Sequence, residues 1–387
     1  MNSTLRFINL FEEVSPEQFK ASYWTQHFLF QRSQPDKYNS LLTIEDLDEL
    51  LTVRLHDQIE LVKQGKLLPR EEHQDGQNKQ KVFELYHSGY TIILSQLNKY
   101  WEPLRNLCLS VPDEIDFLRN VYANVYLTPQ QSQGLAKHAD LQDVLILQVA
   151  GSKRWKLFQQ SFNHPTSREQ FSKNADQIET GKLIFDETLT PGDLLYIPRG
   201  MIHEVFTSEQ SSAHITLTLE TYTNMDLMMD LLQKQVDESA FMRSTVSAGF
   251  HADKQAYLHN ILQHLTEALP DFLHKNEVIV DESYPNSNAN FRGHFLNLEK
   301  LHMIDENSTV TKRQNVDARI IQHGATFEIV CGGEKLEIEE AEAEMLFLKH
   351  STTDFRPADL PGDSDLPSKI ELIQALVEIG YLDITEA

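Results

Sequence analysis

The sequence predicts an α+β chain built around a sandwich or barrel of short strands, on three observations. Helical apolar spacing dominates residues 1–120. Between about 121 and 222 the pattern changes to β-branched and aromatic runs separated by turn residues, and a series of such runs predicts a sandwich or barrel. From 225 onward the helical spacing returns, followed by two further strand runs beside two amphipathic segments.

The elements follow in order. "SPEQFKASYWTQHFLFQR" opens with Ser15-Pro16 and carries Glu17 in its first turn, a helix N-terminus; "TIEDLDELLT" repeats the signal. "SGYTIILSQLNKYWEPLRNLCLSV" keeps apolar residues at helical spacing up to Pro112. Six strand runs come next: "NVYANVYLT", "VLILQVA", "RWKLF", "DLLYIP", "HEVFT" and "HITLTLETY". Within them "DVLILQVAG" is continuously apolar, as expected of a strand covered on both faces. Two helices are expected over 225–280, in "NMDLMMDLLQKQVDESAFMRS" and "DKQAYLHNILQHLTEALPDFLHK", either as core packing or as a dimerisation element. Residues 281–292 read as a polar linker. The remainder offers strands in "ARIIQHG" and "TFEIVCGGEKLEIE" and helices in "EAEAEMLFLKHS" and "SKIELIQALVEIGYLDI", the make-up of a small winged-helix-like module. No internal repeat stands out.

Charge and composition narrow the function. Thirty-four Lys+Arg against 58 Asp+Glu give −24, which argues against a nucleic-acid binder and permits a basic protein partner, solvated acidic faces being the other reading. Residues 301–387 hold 7 Lys+Arg and 18 Asp+Glu, a net of −11, so a DNA-reading wing is not expected. Two cysteines, Cys108 and Cys331, make neither a disulfide framework nor a cysteine metal site. The N-terminus lacks a secretory signal pattern, and no run of 18 apolar residues suggests a membrane span; a cytoplasmic protein is expected.

The chemistry concentrates in "QGLAKHADLQDVLILQVAGSKRWKLF". His138 and Asp140 lie two apart at the start of the long apolar strand, so on an extended segment they share a face. His203 follows a turn and a strand in "PGDLLYIPRGMIHEVFT". Two histidines and one carboxylate that leave coordination positions open form the facial triad of non-haem Fe(II) oxygenases. A lone His-x-Asp among 16 histidines is more often structural; His203 after "GDLLYIPRGMIH" gives the pattern of cupin-type metal sites.

"NVYLTPQQSQGLAKHADLQDVLILQVAGSKRWKLF" and "GDLLYIPRGMIHEVFT", with "SYWTQHFLFQRSQPDKYNSLLTIEDLDELL" upstream, resemble the ribosomal oxygenases of the Jumonji-C family, 2-oxoglutarate-dependent protein hydroxylases. The likeness is close over most of residues 15–222 and loose beyond. It implies a double-stranded β-helix (cupin or jelly-roll) barrel with flanking helices, a helical dimerisation region and a C-terminal winged-helix-like domain. The corresponding ranges are 1–222 with a barrel core at about 121–222, then 223–292, then 293–387. It implies His138, Asp140 and His203 as catalytic iron ligands, and Lys153, Asn124 and Thr218 as residues that hold 2-oxoglutarate. Tyr126 and Gln148 are expected to line the substrate pocket. Cofactors and cosubstrates would be Fe(II), 2-oxoglutarate and O₂. The substrate would be a side chain of a basic ribosomal protein, histidine first and arginine second, because Lys153 and Asn124 look more like the histidyl branch; a homodimer is expected. One departure stands out: the family usually places an aromatic between the first two ligands, and this chain has Ala139, preceded by Lys137. Three rival readings share these residues: a Jumonji-C lysine demethylase, a non-catalytic cupin-like interaction protein, and a Zn²⁺ site.

Overall fold

A computed structural model describes residues 5–54, 59–72, 79–112, 114–115, 118–159, 162, 164–166, 180–229, 232, 240–246, 249–274, 293–313, 316, 318–323, 326–331, 334–343, 345–346 and 354–386. The chain divides into two compact units, Met1–Thr221 and Tyr222–Ala387.

The first unit holds α1 (Pro16–Ser22), β1 (Leu29–Gln31), α2 (Ile44–Glu49), β2 (Ile59–Lys63), β3 (Lys66–Leu67), α3 (Lys79–His87), β4 (Thr91–Leu94) and α4 (Glu102–Ser110). It continues through β5 (Leu118–Thr128), β6 (His138–Ala139), β7 (Asp143–Gly151), β8 (Lys153–Phe158), β9 (Leu183–Leu189), β10 (Leu194–Ile197), β11 (Ile202–Phe206) and β12 (Ser212–Thr221). Two sheets result, in the orders β1-β10-β7-β12-β5-β4-β2-β3 and β6-β11-β8-β9. Every described pairing in them is antiparallel. This is the expected α+β, cupin-like barrel with flanking helices.

Alternation along the strands builds two cores. Leu145, Leu147, Ile215, Leu217 and Leu219 face the helices and join Phe7, Phe19, Leu104 and Leu107 in one buried cluster. Val144 and Ile146, one residue out of phase, turn inward and meet Trp155, Leu157, Leu189 and Val205 of the second sheet. β7 is apolar on both faces because both are covered, as its unbroken run foretold. Ser15 caps α1 by accepting from the Gln18 amide, and Thr43 caps α2 with Asp46 in a reciprocal box.

Residues 1–120 contain more strand than the helical reading allows. Thr91–Leu94, read as helical, pairs with β5 and β2 in the main sheet. α1 stops at Ser22, and "FLFQR" supplies β1 against β10. Three of four residues in β4 are β-branched, and sheet partners nearby in space override their helical spacing.

The second unit contains α5 (Lys254–His274), α6 (His294–Lys300) and α7 (Leu366–Glu378). Its strands are β13 (Thr309–Lys312), β14 (Ala318–His323), β15 (Thr326–Cys331), β16 (Glu334–Ile338) and β17 (Leu382–Glu386). β14-β15-β16 form one antiparallel sheet and β13-β17 another. Val310, Ile329, Ile373, Leu376, Val377 and Tyr381 pack in its own core. Most of "NMDLMMDLLQKQVDESAFMRS" and all of the 281–292 linker lie outside the described residues. Among the described residues no helix is long and apolar enough to cross a membrane.

Candidate metal and cosubstrate site

The barrel brings three distant side chains together. β6 pairs with β11 so that His138 lies opposite His203 and Ala139 opposite Ile202. His138 Nε2 is 3.4 Å from one Asp140 carboxylate oxygen, and His203 Nε2 is 3.7 Å from the other. One ligand atom from each of the three lies within 4.8 Å of the others. Ligand atoms this close could share one divalent ion, with two imidazole nitrogens and a carboxylate oxygen as donors. Each imidazole is oriented from behind. His138 Nδ1 meets the Ala136 carbonyl at 2.7 Å, and His203 Nδ1 meets the Met201 carbonyl at 3.1 Å. A carbonyl can only accept, so each Nδ1 carries the proton and each Nε2 turns a lone pair inward.

The electrostatics of the three are coupled. Burial opposes ionisation of Asp140, but the two imidazoles outweigh it and hold the carboxyl down at about 2. Burial, reinforced by His138, pushes His203 down to about 4. Burial also works against a charge on His138, yet Asp140 and the Ala136 carbonyl raise it overall. Asp140 is thus ionised and His203 neutral at neutral pH, as metal binding requires of each, and a metal would displace the proton that Asp140 favours on His138. Ala139 points away from this cluster and is buried against Ile202, with Leu141, Phe158 and Phe162 around the pair.

A cavity runs from this cluster into the barrel. Its walls include Tyr126, His138, Asp140, Lys153 and His203 from the expected set. Lys153 is 3% exposed, and its ammonium donates to Thr128 Oγ1 at 3.0 Å. Burial alone lowers its pKa to about 7. The strand start that delivers it depends on Gly151, whose φ is +63° and whose Cβ position lies 1.7 Å from the Ser211 carbonyl oxygen.

Three expected residues do not line the cavity. Asn124 is engaged by its neighbours: its Oδ1 accepts from the Gln96 amide at 2.8 Å, and its side chain bonds the Tyr126 hydroxyl. Thr218 is buried and bonded to the Tyr122 hydroxyl. The Gln148 amide donates to Ala150 O at 2.8 Å and to Ser212 Oγ at 2.9 Å, tying β7 to β12. In their place the wall contains His214, Thr216 and Trp155. Their sequence signals were available: Trp155 lies two residues after Lys153, and His214 and Thr216 share the polar face of β12 with Thr218.

Fold and site together define a cupin-type barrel with a His-Asp-His donor set. Residues 106–227 match the family described as the JmjC domain. The bifunctional lysine-specific demethylase and histidyl-hydroxylase NO66 of Drosophila simulans is 36% identical over 251 residues, covering 59% of this chain and 28% of that protein. Its Drosophila melanogaster counterpart is 34% identical over 251 residues, covering 59% and 37%. The chain thus spans about a third of the length of these curated relatives. The solved structure of YcfD, a ribosomal oxygenase from Escherichia coli, in complex with cobalt and succinic acid, matches 95% of this chain and 98% of its own, with a TM-score of 0.57 at 17% identity. Residues 106–227 thus match the JmjC domain, and the fold is similar to that of the YcfD structure.

Proposed function

We propose that this chain is an Fe(II)- and 2-oxoglutarate-dependent oxygenase that hydroxylates a protein side chain. One observation carries the reading: a single cavity holds both the His138–Asp140–His203 donor set and the buried ammonium of Lys153. The donor chemistry fits the group. Two imidazoles and one carboxylate suit Fe(II) and leave positions for a chelating keto acid and a gas. When bound, iron with 2-oxoglutarate and O₂ supplies the oxidising power to put oxygen into an unactivated C–H bond.

The chain's own residues do the rest. His138 and His203 keep their protons on Nδ1, held by Ala136 and Met201, so both Nε2 atoms stay available. Lys153 presents a positive charge whose isolation burial disfavours. A carboxylate reaching it restores a partner, which makes the distal carboxylate of 2-oxoglutarate its natural ligand. Asn124 and Thr218 act one residue back, by fixing the hydroxyls of Tyr126 and Tyr122. Ile146, Trp155 and Val205 wall the cavity and keep water from it.

The preferred substrate is a histidine, then an arginine, on a basic ribosomal protein in the cytoplasm. The histidyl-hydroxylase activity of the NO66 relatives, the likeness to the ribosomal oxygenase YcfD and the −24 charge support this. Residues 223–292 form the homodimer contact; the amphipathic spacing of α5 supports that assignment. Residues 293–387 form the winged-helix-like domain; their strands and helices around one core support it.

The test measures succinate formed from 2-oxoglutarate with Fe(II), comparing the intact chain with His138→Ala. The intact chain turns over and the variant does not; equal turnover in both sinks the assignment. Mass spectrometry of ribosomal proteins from cells lacking the chain then locates the residue that loses one oxygen. Formaldehyde release from methyl-lysine peptides would move the reading to demethylation.

A further inference from the structure

The surroundings of His214 are unusual. It is 3% exposed, lies in the cavity wall, and its Nδ1 has no hydrogen-bond partner. A polar atom left unpaired in a packed interior is costly, so buried groups of this kind are nearly always satisfied. The ring is also firmly placed. It stacks on Tyr126 with centroids 5.0 Å apart and 1° between planes, and it meets Trp155 edge-to-face at 5.6 Å. The pairing of β12 with β7 shifts register between Ala213 and His214, an irregularity of the kind that re-aims a side chain beside a site. Burial, with the nearby charge of Lys153, keeps the ring neutral. A neutral imidazole always offers one N–H donor, and the ammonium beside it has spent one proton, on Thr128.

We infer that His214 is a specificity-determining cosubstrate contact: its ring N–H donates to the distal carboxylate of the keto acid beside the Lys153 ammonium. The inference rests on the oxygenase reading and deepens it. Lys153 supplies charge, and His214 supplies a second, directional donor. Together they select a dicarboxylate keto acid over a monocarboxylate one, because a carboxylate can accept from both while a methyl group leaves both unpaired.

The test is calorimetric binding of 2-oxoglutarate and of 2-oxobutyrate, which lacks the distal carboxylate, to the full chain loaded with Mn(II) under argon. His214→Phe keeps a flat ring on Tyr126 and removes both nitrogens. It should weaken 2-oxoglutarate about tenfold to a hundredfold, the loss of one charge-assisted hydrogen bond, and leave 2-oxobutyrate within about twofold. His214→Asn and His214→Leu share a shape and differ in the donor, so this pair decides the matter even if the phenylalanine variant does not fold. Asn should recover most of the 2-oxoglutarate affinity and Leu should not. Equal affinity in Asn and Leu, or an equal loss for both keto acids, overturns the assignment while the oxygenase reading stands. An intact chain that binds neither keto acid overturns both.

Discussion

The two faces of the paired strands β5 and β12 are chemically opposite; both are buried along β12, and on β5 the polar face is partly exposed. On one, Val121, Ala123, Val125, Ile215, Leu217 and Leu219 are apolar and pack into the helix-side core. On the other, Tyr122, Asn124, Tyr126, His214, Thr216 and Thr218 turn into the barrel. An apolar face needs only to exclude water. A buried polar face persists only where each group finds a partner. Most members of the polar face do: Thr218 with Tyr122, and Asn124 with Tyr126 and the Gln96 amide. Lys153, His214 and the Trp155 indole N–H keep spare capacity, and all three line the cavity that also holds the His-Asp-His cluster. The difference teaches that partner accounting along a strand separates structural polar residues from those reserved for a ligand.

Substitutions on the two faces should therefore fail in different ways. Leu217→Ala, at 0% exposure on the apolar face, should cost about 2–5 kcal/mol in denaturant unfolding. The fraction that remains folded should bind 2-oxoglutarate as before. A loss of binding beyond the unfolded fraction would mean that the faces are not independent.

Lys153→Ala should do the reverse. Melting temperature should hold or rise, since a buried ammonium is removed, while the 2-oxoglutarate requirement rises by a factor of about ten to a hundred, equivalent to about 1.5–3 kcal/mol. The same residue sets a pH dependence. Its folded pKa of about 7 lies below the unfolded value near 10.5, so between these limits the unfolded chain holds the extra proton. Stability of the cosubstrate-free protein should then gain from this group as pH rises through that window. Binding of a carboxylate needs the protonated amine, so 2-oxoglutarate affinity should weaken as pH climbs past about 7. Lys153→Arg, always protonated, should flatten that profile in calorimetric titrations. A wild-type profile that is already flat would remove Lys153 from the anchor role.

The smallest effect belongs to a satisfied polar pair. Thr218→Val breaks the bond to Tyr122 and should cost about 0.5–1.5 kcal/mol of stability. Its 2-oxoglutarate affinity should move less than that of Lys153→Ala; an equal change would put Thr218 in direct contact with the cosubstrate.

Much of this was legible in the sequence, for identifiable reasons. A period of two put His138 and Asp140 on one face, and turn residues around "LLYIP" set His203 at the next strand start. The unbroken "VLILQVA" announced a strand covered on both sides. The helical reading of 91–94 failed because what makes "TIIL" a strand is β5, some thirty residues further on. Asn124 and Thr218 were legible as polar positions in strands but not as satisfied ones, and Gln148 was legible as polar but not as a tie between β7 and β12. Partner distance is a property of packing, and His214 was hidden for the same reason, in a face where every second residue is polar.

The account stands on three side chains sharing one divalent ion, and Mn(II) binding tests that most directly. Electron paramagnetic resonance titration of the full chain should find one tight Mn(II) site, lost in His138→Ala, Asp140→Ala and His203→Ala alike while each variant keeps its melting transition. Tight binding that survives the loss of any one of the three would contradict the account.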